Sequence, residues 1–302
     1  KDAGDKADKS KERFAKLGSV LRGVGVAMGA VVTAAAATAV KLGKEVGNAY
    51  ADYEQLVGGV DTLFKGSSQK LQSYASNAYK TAGLSANDYM ETVTGFSASL
   101  IQSLGGDTDK SVKYADMAIT DMADNANKMG TDMSLIQNAY QGFAKQNYTM
   151  LDNLKLGYGG TKEEMQRLLS DAEKISGIKY DISSYADVVD AIHVMQESMD
   201  IAGTTAKEAE GTISGSVNAL KSSVTNLVVG FGDANADLGE LCENVVTAFQ
   251  TVLENISPIV ENLVSALPIV ITTLLESAGE MLPTVLETLA ELFAQVLEGL
   301  LQ

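Results

Sequence analysis

An eleven-residue repeat of apolar residues, which runs from residue 245 to residue 302, is the feature that most constrains this chain. Eleven residues make three helical turns at about 3.67 residues per turn, so residues eleven apart lie on one helix face. The apolar rows cover a stripe roughly 130° wide, and glutamates recur on the far side. The repeat predicts a long amphipathic helix, reaching roughly 87 Å, that needs partners along its whole length.

We predict that this stripe forms the seam of an oligomer. Copies would pack around a cyclic axis, and three-fold symmetry is the arrangement that we expect. The predicted seam comprises Val252, Leu253, Ile256, Ile259, Val260, Leu263, Val264, Leu267, Val270, Ile271, Leu274, Leu275, Met281, Leu282, Val285, Leu286, Leu289, Leu292, Phe293, Val296 and Leu297.

Three prolines, Pro258, Pro268 and Pro283, interrupt this segment. Each removes a backbone donor and crowds the preceding turn, so each is expected to kink the helix or to restart it. The eleven-residue phase nevertheless continues through all three. We therefore favour a kinked, roughly collinear rod over a stack of helical hairpins, which stays the alternative.

Composition and charge narrow the class of protein. Only 6% of residues are aromatic and none is Trp, which suits packed helices better than a β-sandwich or barrel. The formal charge is -16, and after Lys221 there is no Lys or Arg. Such a surface repels phosphate, so we expect no direct nucleic-acid binding. The fold class predicted is all-α, with a compact helical domain between long helices that form a coiled-coil-like oligomeric bundle.

The N-terminal part, residues 1–49, reads as a coiled-coil-like helix rich in Ala and Gly. Its 18 uncharged residues, 23–40, are long enough for a marginal membrane span. Because Ala and Gly dominate and aromatic anchors are lacking, we favour a helix bundle in water, and the membrane span stays the alternative. The apolar seam expected here comprises Leu17, Leu21, Val24, Met28 and Val31.

Residues 50–204 predict one compact all-helical domain, followed by connecting helices over 205–244 and the repeat segment over 245–302. Thr161 with Glu164, like Thr205 with Glu208, has capping-box spacing. Glycines mark the expected helix ends, namely Gly66, Gly83, Gly105 with Gly106, Gly130, Gly177 and Gly203. Because the chain starts at Lys1 and the repeat is still in phase at Gln302, we expect a piece of a longer protein. The predicted helices are 50–64, 67–82, 85–104, 108–129, 132–146, 161–176 and 184–202.

The sequence offers no catalytic, cofactor or metal site that we would defend. His193 is the only histidine and Cys242 the only cysteine, so both are interpreted as packed helix residues. Asp107 and Asp109 start a calcium-like loop, but the sixth and twelfth positions lack the required Gly and Glu. The glycine-rich run 157–162 does not have Walker spacing and is interpreted as a loop that leads into the Thr161 cap.

Three segments between about residue 53 and residue 232 are informative in their linear order, which is more specific than any one of them. They are YEQLVGGVDTLFKGSSQKLQSYASNAYKTAGLSANDYMETVTGFSASL, DMADNANKMGTDMSLIQNAYQGFAKQNYTMLDNLKLGYGGTKEEMQRLL and EGTISGSVNALKSSVTNLVVGFG. The stretch that they span, about 60% of the chain, resembles the core of tail tape measure proteins of tailed phages and phage-tail-like particles.

This resemblance implies a non-enzymatic structural protein: an oligomeric rod in the lumen of the tail tube that sets tail length, acts in assembly and leaves ahead of the genome. It also implies three kinds of partner, namely further copies, tail tube and tail-tip or baseplate proteins, and the host membrane during ejection. The locations implied are the virion and, during assembly, the host cytoplasm. The alternative is a membrane-active, pore-forming protein that inserts into the host envelope.

Overall fold

The computed structural model describes the backbone of residues 35–300 and the side chains of residues 46–262, 264–269 and 271–273. Within these residues every regular element is a helix, so the all-α prediction is confirmed. The helices are α1 (Ala35–Phe64), α2 (Ser68–Thr81), α3 (Ala86–Thr94), α4 (Ser97–Ser103), α5 (Thr108–Met129), α6 (Met133–Phe143), α7 (Lys162–Ser176), α8 (Tyr185–Ser198), α9 (Thr204–Gly211), α10 (Ile213–Gly232) and α11 (Leu238–Leu300). Short 3-10 helices occupy Lys65–Ser67 and Leu151–Leu154.

The chain divides into a compact unit that runs through Val252 and a second unit that begins at Leu253. In the first unit α5 lies at the centre and packs against α1, α2, α3, α4, α6, α8 and α9. One apolar core runs through this unit, and its largest fully buried side chains include Tyr89, Tyr140, Phe64 and Phe143. Burying one such side chain stabilises the fold by about 1.5–3 kcal/mol, so this core holds the unit together.

The predicted helix 85–104 is two helices, α3 and α4. The backbone leaves the helical region at Phe96, whose φ of -132° separates them. This break turns the Phe96 ring into the core, where it meets the Tyr185 ring edge-on at a centroid distance of 6.1 Å. Gly95 gives the chain a weak helix former at this place. Packing of one aromatic ring therefore outweighs continuation of the helix.

Residues 205–244, which we expected to be connecting helices, do not stand apart from the core. Helix α10 packs against α1, α2 and α3, while α9 packs against α2 and α5. The face that α10 buries is small and polar, with Ser216, Ala219, Ser223 and Asn226. Small side chains let the helix backbones approach closely, and a search for large apolar residues overlooks such a face. The compact unit accordingly extends beyond the predicted boundary at residue 204.

Three helices donate an N-terminal N–H group to a side chain from a distant part of the sequence, and α3 and α8 have a local serine cap as well. Asn226 Oδ1 accepts the Ala86 N–H at 2.8 Å, and Ser103 Oγ accepts the Ala186 N–H at 3.1 Å. Asp124 accepts two N–H groups at the start of α9, from Gly203 at 2.5 Å and Thr205 at 2.7 Å. The capping box expected at Thr205 and Glu208 is therefore wrong, because the Thr205 N–H is bound by a residue of α5.

Candidate association surface

An exposed apolar face on α11 is the feature of the second unit that indicates a function. Five large apolar side chains, each between 49% and 63% exposed, lie on it. At about 100° per residue they fall within a band about 60° wide. We call this set the apolar stripe: Leu253, Val260, Val264, Leu267 and Ile271.

All five stripe residues belong to the seam that the repeat predicted, and two further predicted members flank them. Ile259 is exposed and Ile256 is half-buried at one edge. Ile269 is 68% exposed on the opposite side of the helix, so the repeat did not include it. Exposed apolar residues in a row, unlike single ones, are typical of an association surface.

Val252 does not belong to this surface. It is only 7% exposed and belongs to the first unit. Cys242, Val245 and Ala248 are buried to a similar degree. These four residues share one face of α11 at spacings of three and four, so this part of the helix completes the fold of the chain itself. The assignment of Val252 to the oligomer seam is corrected accordingly, and the interpretation of Cys242 as a packing residue is confirmed.

Many predicted seam residues lie outside the side chains that the structure describes. For these the seam stays a prediction from the repeat. They are Leu17, Leu21, Val24, Met28, Val31, Leu263, Val270, Leu274, Leu275, Met281, Leu282, Val285, Leu286, Leu289, Leu292, Phe293, Val296 and Leu297.

The three prolines do not divide α11 into hairpins. The helix is continuous from Leu238 to Leu300, through Pro258, Pro268 and Pro283. Next to Pro268, Thr272 Oγ1 donates to the Pro268 carbonyl at 2.8 Å and Thr273 Oγ1 donates to the Ile269 carbonyl at 2.9 Å. These bonds lie in the turn that follows Pro268, whereas the hydrogen bond that the proline removes would have reached the Val264 carbonyl in the preceding turn. A bend of the helix axis at each proline stays a prediction.

The same stretch also meets the length and composition of a membrane span. Among the described residues, one helix does so, namely α11 over Leu238–Thr273, and its most apolar window of 18 residues is not buried. The uncharged run of α11 that overlaps this stretch extends from residue 262 to residue 275, between Glu261 and Glu276. A bilayer core needs about 20 apolar residues in a helix, so this run of 14 is short.

In the first unit the polar group of greatest electrostatic interest is Asp121, which is 1% exposed. Its two carboxylate oxygens lie 2.9 and 3.0 Å from His193 Nδ1, and His193 Nε2 lies 3.5 Å from Glu197 Oε1. Burial raises the pKa of Asp121 to about 6, against the opposing effect of the hydrogen bond from His193. That hydrogen bond in turn raises the pKa of His193. The contacts of His193 are two carboxylates rather than a nucleophile, so the pair acts as an internal ion pair.

This pair predicts that the first unit loses stability as the pH rises from about 5 to about 8. Asp121 and His193 both have a raised pKa, so each binds its proton more tightly in the folded chain, and that stabilisation is lost as the proton leaves. Carboxyls with a lowered pKa, such as Asp132 and Asp181, titrate below this window. We expect a loss on the order of 1–2 kcal/mol in urea unfolding between these pH values. The D121N variant should flatten the profile, and a D121N profile as steep as that of the wild type would refute the assignment.

The glycine-rich run at 157–162 forms the loop that precedes α7. Thr161 Oγ1 accepts the Glu164 N–H at 3.2 Å, which confirms the predicted cap. Glu164 accepts the Gly159 N–H and pairs with Arg167 at 2.6 Å, and the Arg167 hydrogen bond holds the pKa of Glu164 at about 2. Because a carboxylate already accepts a loop amide, the loop does not present a free nest for phosphate.

The calcium-like residues have structural roles. Asp107 caps α5 by accepting the Lys110 N–H at 2.9 Å, and Asp109 pairs with Lys70 at 2.6 Å. Within the described part of the chain, no group of three or more His, Cys, Asp or Glu side chains is placed to hold a metal ion. An open groove of about 510 Å³ runs beside α7, and its lining includes Glu173, Lys179 and Asp181.

Comparison of the chain with protein-family models, with curated proteins and with solved structures gives no match. The arguments about function therefore depend on the residues and on the fold. Of the surfaces described, the apolar stripe is the one that the sequence repeat extends over many further turns.

Proposed function

We propose that this chain is a non-enzymatic structural protein, a piece of a tail tape measure protein that self-associates into a helical rod in the lumen of a phage tail tube. The observation that supports it best is the apolar stripe, five large side chains in one band that the chain leaves about half exposed. The resemblance of residues 53–232 to the family's core supports the same identity. Three copies around one axis would each cover the stripe of a neighbour.

The free energy of apolar burial favours association between stripes, despite the repulsion between their acidic side chains. Burying a large apolar side chain completely contributes about 1.5–3 kcal/mol, and the stripe residues, which are about half exposed, would each gain roughly half of that. Two carboxylates 10 Å apart in water repel each other by only about 0.4 kcal/mol. Apolar contact therefore exceeds repulsion for each pair of neighbouring copies.

The mechanism follows from helix geometry. A helix rises about 1.5 Å per residue, so the length of a continuous helical rod is proportional to its number of residues. A tube that polymerises around such a rod stops where the rod ends, and the rod then acts as a ruler. The partners of this proposal are further copies, tube proteins along the rod and tip or baseplate proteins at one end. The chain would occupy the virion, and the host cytoplasm during assembly.

A deletion of two repeat blocks, residues 264–285, should shorten the tail tube by roughly 33 Å if this segment measures length. Eleven-residue multiples keep the stripe in phase, so the rod should still assemble. Electron microscopy of purified particles gives the tube length. The matched control replaces 264–285 with two copies of 253–263, which preserves the number of residues and should preserve tube length. Tubes of unchanged length after the deletion would contradict a measuring role for this segment.

A second candidate function is membrane activity, which the exposed, apolar window of α11 favours. Against it stand the short uncharged run between Glu261 and Glu276 and the lack of basic residues after Lys221. Basic residues are what attract a helix to an anionic bilayer surface. Leakage from liposomes is the property that separates this function from a rod that forms in water.

A further inference from the structure

We propose that the acids beside the apolar stripe restrain self-association, so that counterions control it. The inference rests on the proposed function, since it takes a second copy of this chain as the occupant of the stripe. It adds a means of regulation, because association would be weaker at low ionic strength and tighter when the charge is screened.

Two glutamates border the stripe directly. Glu254 follows Leu253 and Glu261 follows Val260, and both carboxylates are exposed. They are seven residues apart, so they lie about 80–100° from Leu253, outside the band but next to one edge of it. The repeat placed Glu254 on the far side because the predicted stripe included the row of Val252, which is buried. Ser257 Oγ, between them, donates to Glu261 Oε1 at 3.3 Å. When one stripe meets another, these carboxylates stand at the margin of the contact.

Nothing on the helix neutralises these charges, because the sequence has no Lys or Arg after Lys221. A second copy brings the same two glutamates and the same lack of bases. In an antiparallel pair the acidic edges of two stripes face each other. In a parallel bundle the acidic edge of one stripe lies against the opposite edge of its neighbour, which carries Ile256 and Ile259, so neither arrangement places a base beside the acids. In ordinary coiled coils the flanking positions hold residues of both signs, which attract across the interface. Here the flanking charge opposes the apolar contact.

The occupant that the repeat favours is another copy. A stripe with a regular period is matched along its length by a helix of the same period, and this chain supplies such a helix. The flanking charge then decides the conditions of association rather than the choice of partner. Repulsion between exposed charges is screened over about 10 Å at 0.1 M salt and about 3 Å at 1 M.

The test compares the 302-residue protein with two double variants in 20 mM and 500 mM NaCl, by sedimentation velocity over a range of concentrations. We expect the association midpoint of the wild type to fall at least about tenfold at the higher salt, which equals about 1.4 kcal/mol per association step. E254Q/E261Q should associate at both salt concentrations, with a much smaller response. E240Q/E243Q removes the same charge from exposed residues of α11 outside the stripe and should respond as the wild type does.

The outcomes separate the two proposals. Association of the wild type that is equally tight at both salt concentrations, or weaker at 500 mM, would overturn the counterion control and leave the oligomeric rod standing. Salt responses reduced equally in both double variants would also overturn it, because net charge rather than the stripe margin would then be responsible. A wild type that stays monomeric under all conditions would overturn the second copy as occupant and the proposed rod together.

Discussion

Replacing Val264 and Leu267 with aspartate should convert the oligomer into a monomer. Both side chains lie near the middle of the apolar stripe, and both are more than half exposed in the single chain. In a bundle each aspartate would be desolvated against apolar neighbours, which costs several kcal/mol unless the charge is paired. With two such changes in every copy, we expect a loss of association of more than about a thousandfold. Light scattering or sedimentation velocity at 500 mM NaCl measures it.

The matched control places aspartates on the opposite face of the same helix, as N262D/I269D. Both residues are exposed, and Ile269 is as apolar as the stripe residues. This variant should remain an oligomer, while both variants keep the helical circular dichroism of the wild type. Equal dissociation of the two variants would contradict a one-sided seam. The same pair examines the membrane alternative, because a bilayer surrounds a helix and both variants would then reduce liposome leakage equally.

Replacing Asp124 with alanine should lower the free energy of unfolding of the first unit by about 2–4 kcal/mol. Its carboxylate is fully buried and accepts the Gly203 and Thr205 N–H groups at the start of α9. Alanine leaves both donors without this acceptor in a partly buried place, and it removes a negative charge from a helix N-terminus. Relief of the repulsion between Asp124 and Asp121 offsets part of the loss. Urea unfolding followed by circular dichroism measures the change.

The control for this variant is Asp132→Ala, which removes an exposed N-cap. Asp132 accepts the Ser134 N–H at 2.8 Å at the start of α6, within its own segment. Water can replace an exposed cap, so we expect a cost of about 1 kcal/mol or less. If the two substitutions lower the free energy of unfolding equally, the buried Asp124 contributes no more than an ordinary exposed cap. The expected large contribution of Asp124 is then refuted.

Local signals in the sequence predicted most helix bounds well. The bounds of α5, 108–129, agree with the prediction, and α7 starts beside the predicted cap at Thr161. Predicted glycine ends at Gly130 and Gly177 adopt the left-handed conformation that only glycine takes up without cost. At Gly66 the expectation is wrong, because Lys65 adopts the left-handed conformation there instead. These features depend on residues within one or two turns of each other.

Features that depend on distant residues could not be predicted. Asp124 and Thr205 are 81 residues apart, and Asp121 and His193 are 72 apart, so no spacing rule connects them. The stripe was predicted, because the repeat places apolar residues on the same helix face in one block after another. The point at which the face of α11 that carries Val252 stops being buried, before the half-buried Ile256 and the exposed Ile259, was not. The repeat has the same phase on both sides of that point.

Capping from a distance has a consequence for synthesis of the chain. The third helix, which begins at Ala86, has a local cap at Ser85, and its Ala86 N–H also donates to Asn226, which leaves the ribosome 140 residues later. The growing polypeptide can form most of its helical turns early, but this contact between helices cannot form until nearly the whole first unit has been translated. Premature termination before Asn226 would leave a product whose third helix lacks this tertiary contact. Incompletely packed chains of that kind are removed by quality-control proteases.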